Sequence, residues 1–232
     1  MLQLRAREEL DGGDFGWLKA RHHFAVNSAG HPAHGPLGSL VVWNDDEIAP
    51  GTGFGLHPHV DMEIISYVRE GAVTHRDNAG NSGTTEAGDV QVMSAGTGIR
   101  HAEHNAGTVP LKLFQIWLRP RHRGGTPRWD TRAFPQADRA GQLVALASGL
   151  PEDSGALPIR ADARVLGATL NAGDLVNYVL TAGRFAYLAP ARGVVIVNDQ
   201  RLTPGDGLAM FEEPLLTIIA EQGAEIVLVD SA

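Results

Sequence analysis

Gly88-Asp89-Val90-Gln91-Val92-Met93 and Gly205-Asp206-Gly207-Leu208-Ala209-Met210 are one strand signature written twice. Each opens on Gly-Asp, runs to a methionine, and follows a turn and an earlier glycine, Gly71 or Gly193. A signature repeated in the two halves of a chain implies two related barrels. Eight and ten residues beyond Met93 stand His101 and Glu103, but the same steps from Met210 reach Ile218 and Ala220. Counting back fourteen and twelve from Gly71 gives His57 and His59, whereas Gly193 gives Val179 and Thr181. Aligned without gaps, the second copy keeps none of these four side-chain types.

The rest of the chain agrees with short strands. Its 232 residues are 43% hydrophobic, enough for one large or two small domains with a core in each. The 28 glycines and 13 prolines against 6% aromatic residues describe a turn-rich chain, so all-β is the expected class. Leu37 to Ile48, Glu63 to Val73, Leu111 to Leu118 and Leu175 to Val229 carry β-forming runs. Asp77 to Gly83 gathers Asp, Asn and Gly, which tolerate left-handed backbone, into a hairpin loop. The Gly155 to Pro158 stretch reads as an edge between halves, and the division expected is 1–135 and 136–232.

A net charge of −8 argues against direct nucleic-acid binding. The cluster of Arg119, Arg121, Arg123, Arg128 and Arg132 reads as a solvated loop broken by Gly124, Gly125 and Pro127, or else as a patch for an acidic partner. With no cysteine, disulfides, thiolate zinc sites and thiol catalysis are excluded, and any metal must be held by nitrogen and oxygen. The first fourteen residues have no apolar leader and no stretch is long enough to span a membrane, so a cytoplasmic protein without a membrane partner is expected, and a monomer.

His57-Pro58-His59 sets two imidazoles two residues apart, on one face of a strand, where both reach one ion. His101-Ala102-Glu103 repeats that spacing. Either pair alone is weak; together, in a cysteine-free β-protein, they suggest a site. Three neutral imidazoles and a carboxylate suit one divalent transition ion, iron, manganese, nickel, copper or zinc, rather than calcium or magnesium. Four ligands leave positions open in an octahedral shell for a chelating substrate or dioxygen.

Gly53-Phe54-Gly55-Leu56-His57-Pro58-His59-Val60-Asp61-Met62-Glu63 and Met93 through Asn105 resemble the two signature stretches of the pirin family within the cupins. Asn44-Asp45-Asp46, Ile116 to Pro120 and Thr126-Pro127-Arg128 extend the likeness along the chain. The resemblance implies a bicupin, two jelly-roll barrels with metal only in the N-terminal one. It places the ligands on His57, His59, His101 and Glu103, with Fe(II) as the expected ion. In the wider cupin pattern the carboxylate follows the second histidine by four residues, where Glu63 stands. If that strand is regular, Glu63 shares the face of His57 and His59 and orients or replaces a ligand.

Some pirins show quercetin 2,3-dioxygenase activity. The resemblance therefore implies a flavonol-like substrate and dioxygen, with Glu103 as general base and release of carbon monoxide. Other pirins resemble iron-dependent regulators, so a non-enzymatic protein that binds a transcription factor or metabolic enzyme is the competing expectation. A third is another metal-dependent reaction on a small acid or sugar. His22, His23, His31, His34, His75 and His122 are read as solvent-facing or satisfied, and His104 as pointing away from the site. Trp17, Phe24 and Trp43 are read as core rather than substrate platform.

Overall fold

The structure is a computed structural model that describes residues 1–26 and 30–232. It consists of short strands with two brief 3-10 turns, Arg7–Glu9 and Gln136–Arg139. Among the described residues no helix is long and apolar enough to cross a membrane.

Two barrels repeat one plan. In the first, a seven-stranded sheet runs Arg128–Arg132, Val90–Ser94, Glu63–Glu70, Leu111–Leu118, Leu40–Ile48, Leu18–His22, Asp11–Asp14. Packed on it is a sheet of Gly53–His59, Ile99–His104, Ala72–Asp77 and Ser82–Glu86. In the second, the large sheet runs Leu2–Arg5, Gly207–Phe211, Phe185–Arg192, Ala224–Ser231, Ala163–Leu170, Val144–Ser148, Leu157–Pro158. Its small sheet holds Leu175–Val179, Leu215–Ala220, Val195–Val197 and Gln200–Leu202.

The repeated signature lies at the same place in both: Val90–Ser94 and Gly207–Phe211 are each second in their large sheet. Gly71 and Gly193 end the third strand with φ of 74° and 75°. A Cβ would come within 2.9 Å of the Pro110 carbonyl oxygen at the first and 2.2 Å of Gly223's at the second, so both the turn and the close approach demand glycine.

Three expectations need correction. Leu2–Arg5 hydrogen-bonds to Gly207–Phe211, so the N-terminal segment belongs to the second barrel's sheet although it begins the first half. Leu157–Pro158 is not between the halves: Val144–Ser148 already lies in the second barrel and pairs with it in parallel, making it that sheet's edge. The arginine cluster is only partly loop. Arg128–Arg132 is a strand paired with Val90–Ser94, and Arg121 donates to the carbonyls of Gly149 and Ala161 in the other half. Glycine and proline interrupt the chain there, but neighbouring strands supply partners that local propensity does not register.

The Glu63–Glu70 strand is buried through Val68 on both faces because it has a barrel on either side. Ile64 and Val68 face the first barrel's interior, while Ile65 and Tyr67 join a core shared between the barrels. That shared core sets Trp43, with ring centroids 5.1 Å from Phe114 and 5.2 Å from Tyr187, against Val227 and Val229 of the second half. Each such side chain contributes roughly 1.5–3 kcal/mol on burial, so the large sheets are held face to face. One ionic cluster crosses the same interface: Arg139 donates to Glu225 Oε1 and to the Tyr67 hydroxyl, both at 2.6 Å. Phe24 and Trp43 are core as expected, and Trp17 is half-buried, edge-on to Phe54.

Candidate metal centre

The Gly53–His59 strand carries a bulge. His57 stands opposite His101 and Phe54 opposite Glu103, so one extra residue lies between Phe54 and His57. Alternation alone would send those two side chains to opposite faces; the bulge lets both face inward. The freed Gly55 carbonyl accepts a hydrogen bond from His57 Nδ1 at 2.7 Å, which fixes the tautomer and leaves Nε2 with its lone pair. Gly53 permits the crossing, since a Cβ there would meet the Glu103 carbonyl oxygen at 2.2 Å. Pro58, between the two histidines, is tolerated because the strand is the edge of its sheet.

His57, His59 and His101 converge, with ligand nitrogens all within 4.8 Å of one another. Their ring centroids are 4.5–5.0 Å apart. His59 Nε2 and both nitrogens of His101 are buried without a hydrogen-bond partner. Buried imidazole nitrogens left bare cost free energy unless something coordinates them. Burial, with His57 nearby, lowers His59 to about 4; burial, with His57 and His59, lowers His101 to about 3, so both are neutral, as metal ligands must be. The residues therefore fit a transition ion. Among the described residues this is the one group of three or more His, Cys, Asp or Glu side chains disposed to hold a metal.

Glu103 lies on the same inward face as His101 but outside the group defined by the three imidazoles. Its Oε1 accepts from Gln91 Nε2 at 2.6 Å and Ser66 Oγ at 3.2 Å, and its Oε2 from Gln115 Nε2 at 2.7 Å. Both glutamines are oriented from behind: Trp129 Nε1 donates to Gln91 Oε1 and Trp117 Nε1 to Gln115 Oε1. An indole N–H only donates, so each amide must turn its NH2 towards Glu103. Burial pushes Glu103 up to about 7 against these three donors, which favour the charged form. Asp46, also buried in the first barrel, is pushed up to about 8 by burial, by Asp45 and by Glu103.

Glu63 does not share the face of His57 and His59. The Gly53–His59 strand ends, the chain turns at Asp61 with φ of 50°, and Glu63 begins a strand of the opposite sheet. Its Oε2 accepts from Ser94 Oγ at 2.6 Å and from the Arg160 amide at 3.1 Å, a residue of the second half. The regular-strand premise fails at the turn, and the carboxylate faces the joint between barrels.

Several residues of the site escaped sequence reasoning. His75 is fully buried, 5.3 Å from the His101 ring, stacked on Trp129 and hydrogen-bonded through Nε2 to Asp77 at 3.1 Å. Trp117 stands edge-on to His59 at 5.0 Å. Strand alternation could have placed His75 with Asp77, and Gln115 with Trp117, on inward faces. Gln91 was visible in the repeat itself, where its counterpart is Leu208. Of the other histidines, His104, His31 and His122 are exposed, and His23 is buried with Nδ1 2.6 Å from the Tyr187 hydroxyl. Against His59 lies a cavity of about 330 Å³, lined besides it by Pro58, the exposed Val60, Asn78, Gly98, Ile99 and Arg100.

The second barrel has no counterpart. Register shifts the ungapped count by three residues: the turn before the third strand is two residues longer there, 180–184 against 60–62, and Val176 stands one residue further from the end of its strand than His57 does. Val176 stands opposite Ile218 as His57 does opposite His101, and Tyr178 opposite Leu216 as His59 does opposite Ile99. None of these can hold an ion, and Val176, Leu216 and Ile218 pack in an apolar core.

Residues 3–118 match the family model described as Pirin, and residues 145–231 match the Quercetinase C-terminal cupin domain. A pirin-like protein of Caulobacter vibrioides is 56% identical over 232 residues, 100% of both chains. A protein of Escherichia coli named quercetin 2,3-dioxygenase is 38% identical over 99% of this chain and 98% of its own. The crystal structure of the bacterial pirin YhhW from Escherichia coli in complex with nickel(II) superimposes with a TM-score of 0.92 at 35% identity, covering 100% of this chain and 99% of that one. With both barrels, the signature stretches and full-length relatives in agreement, the chain is a bicupin that belongs to the pirin family.

Proposed function

We propose that this protein is a metal-dependent dioxygenase that cleaves quercetin-like flavonols, using one Fe(II) held by His57, His59, His101 and Glu103. The observation that carries the reading is the convergence of three imidazoles, with His59 Nε2 and both His101 nitrogens buried and unpartnered, beside a cavity that has His59 in its wall. Relatives named quercetin 2,3-dioxygenase support the substrate class. When bound, the ion supplies Lewis acidity and a template for a chelating 3-hydroxyl and 4-carbonyl.

The chain's own residues supply the rest. Glu103 Oε1 has both lone-pair directions taken by Gln91 and Ser66, but Oε2 accepts only from Gln115 and keeps one free. That lone pair completes the ligand set or takes the 3-hydroxyl proton, and Gln91 and Gln115 hold the carboxylate still for either task. Pro58, Val60 and Ile99 offer an apolar wall for a flat aromatic substrate, and Trp117 limits the rotation of His59. In the overall reaction both atoms of dioxygen enter the ring-opened ester and one ring carbon leaves as carbon monoxide.

Iron-, manganese-, nickel- or copper-loaded protein given quercetin and dioxygen should release carbon monoxide over many turnovers, with anaerobic quercetin shifting its absorption on binding. Zinc-loaded protein is the control, since zinc has no redox state with which to engage dioxygen. If every metal form neither binds flavonol nor makes carbon monoxide, the enzyme reading fails and a metal-dependent partner-binding role replaces it.

A further inference from the structure

On the joint between the barrels lies a second cavity, of about 440 Å³, whose walls share no residue with the cavity beside His59. Its lining includes six cations, Arg7, Lys19, Arg21, Arg69, Lys112 and Arg192, and four acids. Every acid there is already neutralised. Asp45 pairs with Arg69, Glu47 with Lys19 at 2.8 Å, Glu70 with Lys112 at 2.6 Å, and Glu225 with Arg139 at 2.6 Å. Among the described residues no carboxylate lies within 4.0 Å of the guanidinium of Arg7, Arg21 or Arg192. A chain of net charge −8 thus gathers around one concavity three guanidinia with no carboxylate in contact, Arg7 and Arg21 sharing only the longer-range field of Asp45, which is already paired with Arg69.

Their origins matter as much as their charge. Arg7 comes from the turn after the N-terminal strand, Arg21 from the first barrel's Leu18–His22 strand, and Arg192 from the end of the second barrel's Phe185–Arg192 strand. The stem of Arg7 crosses Gly205, where a Cβ would fall 2.6 Å from Arg7 Cδ, so a missing side chain gives it its path. Arg21 Nη1 donates to its neighbour's carbonyl, Ala20 O, at 2.9 Å, which restrains the group and leaves further N–H donors free. Guanidinia match phosphate oxygens in a planar fork, and restrained ones lose less freedom on binding.

We propose that this inter-barrel cavity is a binding site for a small, multiply charged phosphorylated molecule, held by Arg7, Arg21 and Arg192. Its size admits a metabolite rather than a polymer, and the acidic chain as a whole repels nucleic acid. Because the three arginines belong to both barrels, the ligand bridges the joint and stabilises the docked pair by mass action.

The test is calorimetric titration of the metal-loaded protein at low ionic strength with inorganic pyrophosphate, and with citrate as the polycarboxylate comparison. Saturable binding of one pyrophosphate per chain is expected, weakened about tenfold by Arg7→Gln and by Arg192→Gln and further by their combination. Ala87→Glu, which adds a carboxylate to the exposed lip, should weaken it as much, and none of these variants should change metal content. His101→Ala should bind pyrophosphate as the parent does. Three results would overturn the proposal: no saturable binding up to about 10 mM, binding lost in His101→Ala but retained in the arginine variants, or citrate held more tightly than pyrophosphate.

Discussion

Glu63→Gln and Glu103→Gln make the same chemical change on opposite faces of the first barrel, and the structure assigns them different consequences. In Glu63 both hydrogen bonds, from Ser94 and from the Arg160 amide, end on one oxygen, Oε2. A glutamine can set its carbonyl oxygen there and keep both at neutral strength. The loss is the difference between charge-assisted and neutral bonds, less the relief of not burying a charge, about 1–2 kcal/mol. For a chain of this size that lowers Tm by about 2–8 °C. Metal content and flavonol turnover should not move. In Glu103 three donors arrive on two oxygens, so an amide must turn its NH2 towards Gln91 and Ser66 or towards Gln115. At least one buried donor then faces another, at a cost of about 1–3 kcal/mol, and the free lone pair of Oε2 or its basicity is lost. Turnover should fall by about 10²–10⁴, with metal retained more weakly on three imidazoles. Metal per chain by mass spectrometry, carbon monoxide release and thermal melting separate the outcomes. Loss of metal or rate in Glu63→Gln, or parental rate in Glu103→Gln, would refute the assignment of faces.

Purified protein should hold about one transition ion per chain. His101→Ala should lose most of it, and a ratio near two would contradict the ligand-free second barrel. Arg139→Ala, which strands Glu225 and Tyr67 in the joint, should cost about 3–5 kcal/mol in a denaturant titration; a cost below about 1 kcal/mol would mean the cluster is solvated. Burial, with Arg5 nearby, holds His23 at about 3, below its ordinary 6.5. Between those values the unfolded chain binds a proton that the native state refuses, so the stability is complete above pH 6.5 and is lost as pH falls towards 3. His23→Gln should therefore reduce the stability difference between pH 7 and pH 5 by about 2 kcal/mol, measured from urea midpoints; an unchanged difference would show that His23 is protonated in the native state.

The sequence by itself determined the two-barrel plan, the asymmetry between its halves, and the pairing of His57-Pro58-His59 with His101-Ala102-Glu103. These are legible because strand alternation and repeated turn chemistry are local, period-two properties. Glu63 was misplaced because a turn at Asp61 resets the alternation, and the ungapped repeat slipped by three residues because neither loop length, which accounts for two of them, nor the point where a strand ends is encoded in strand pattern. His75, Trp117, Trp129 and the two glutamines were invisible as a set because they come from four different strands, whose convergence depends on register and sheet order. The N-terminal strand's transfer to the second barrel and the cationic cavity on the joint were decided by tertiary structure alone. Both arise where segments far apart in the chain meet, and the free energy that brings them together is burial between the two large sheets, which no local pattern records.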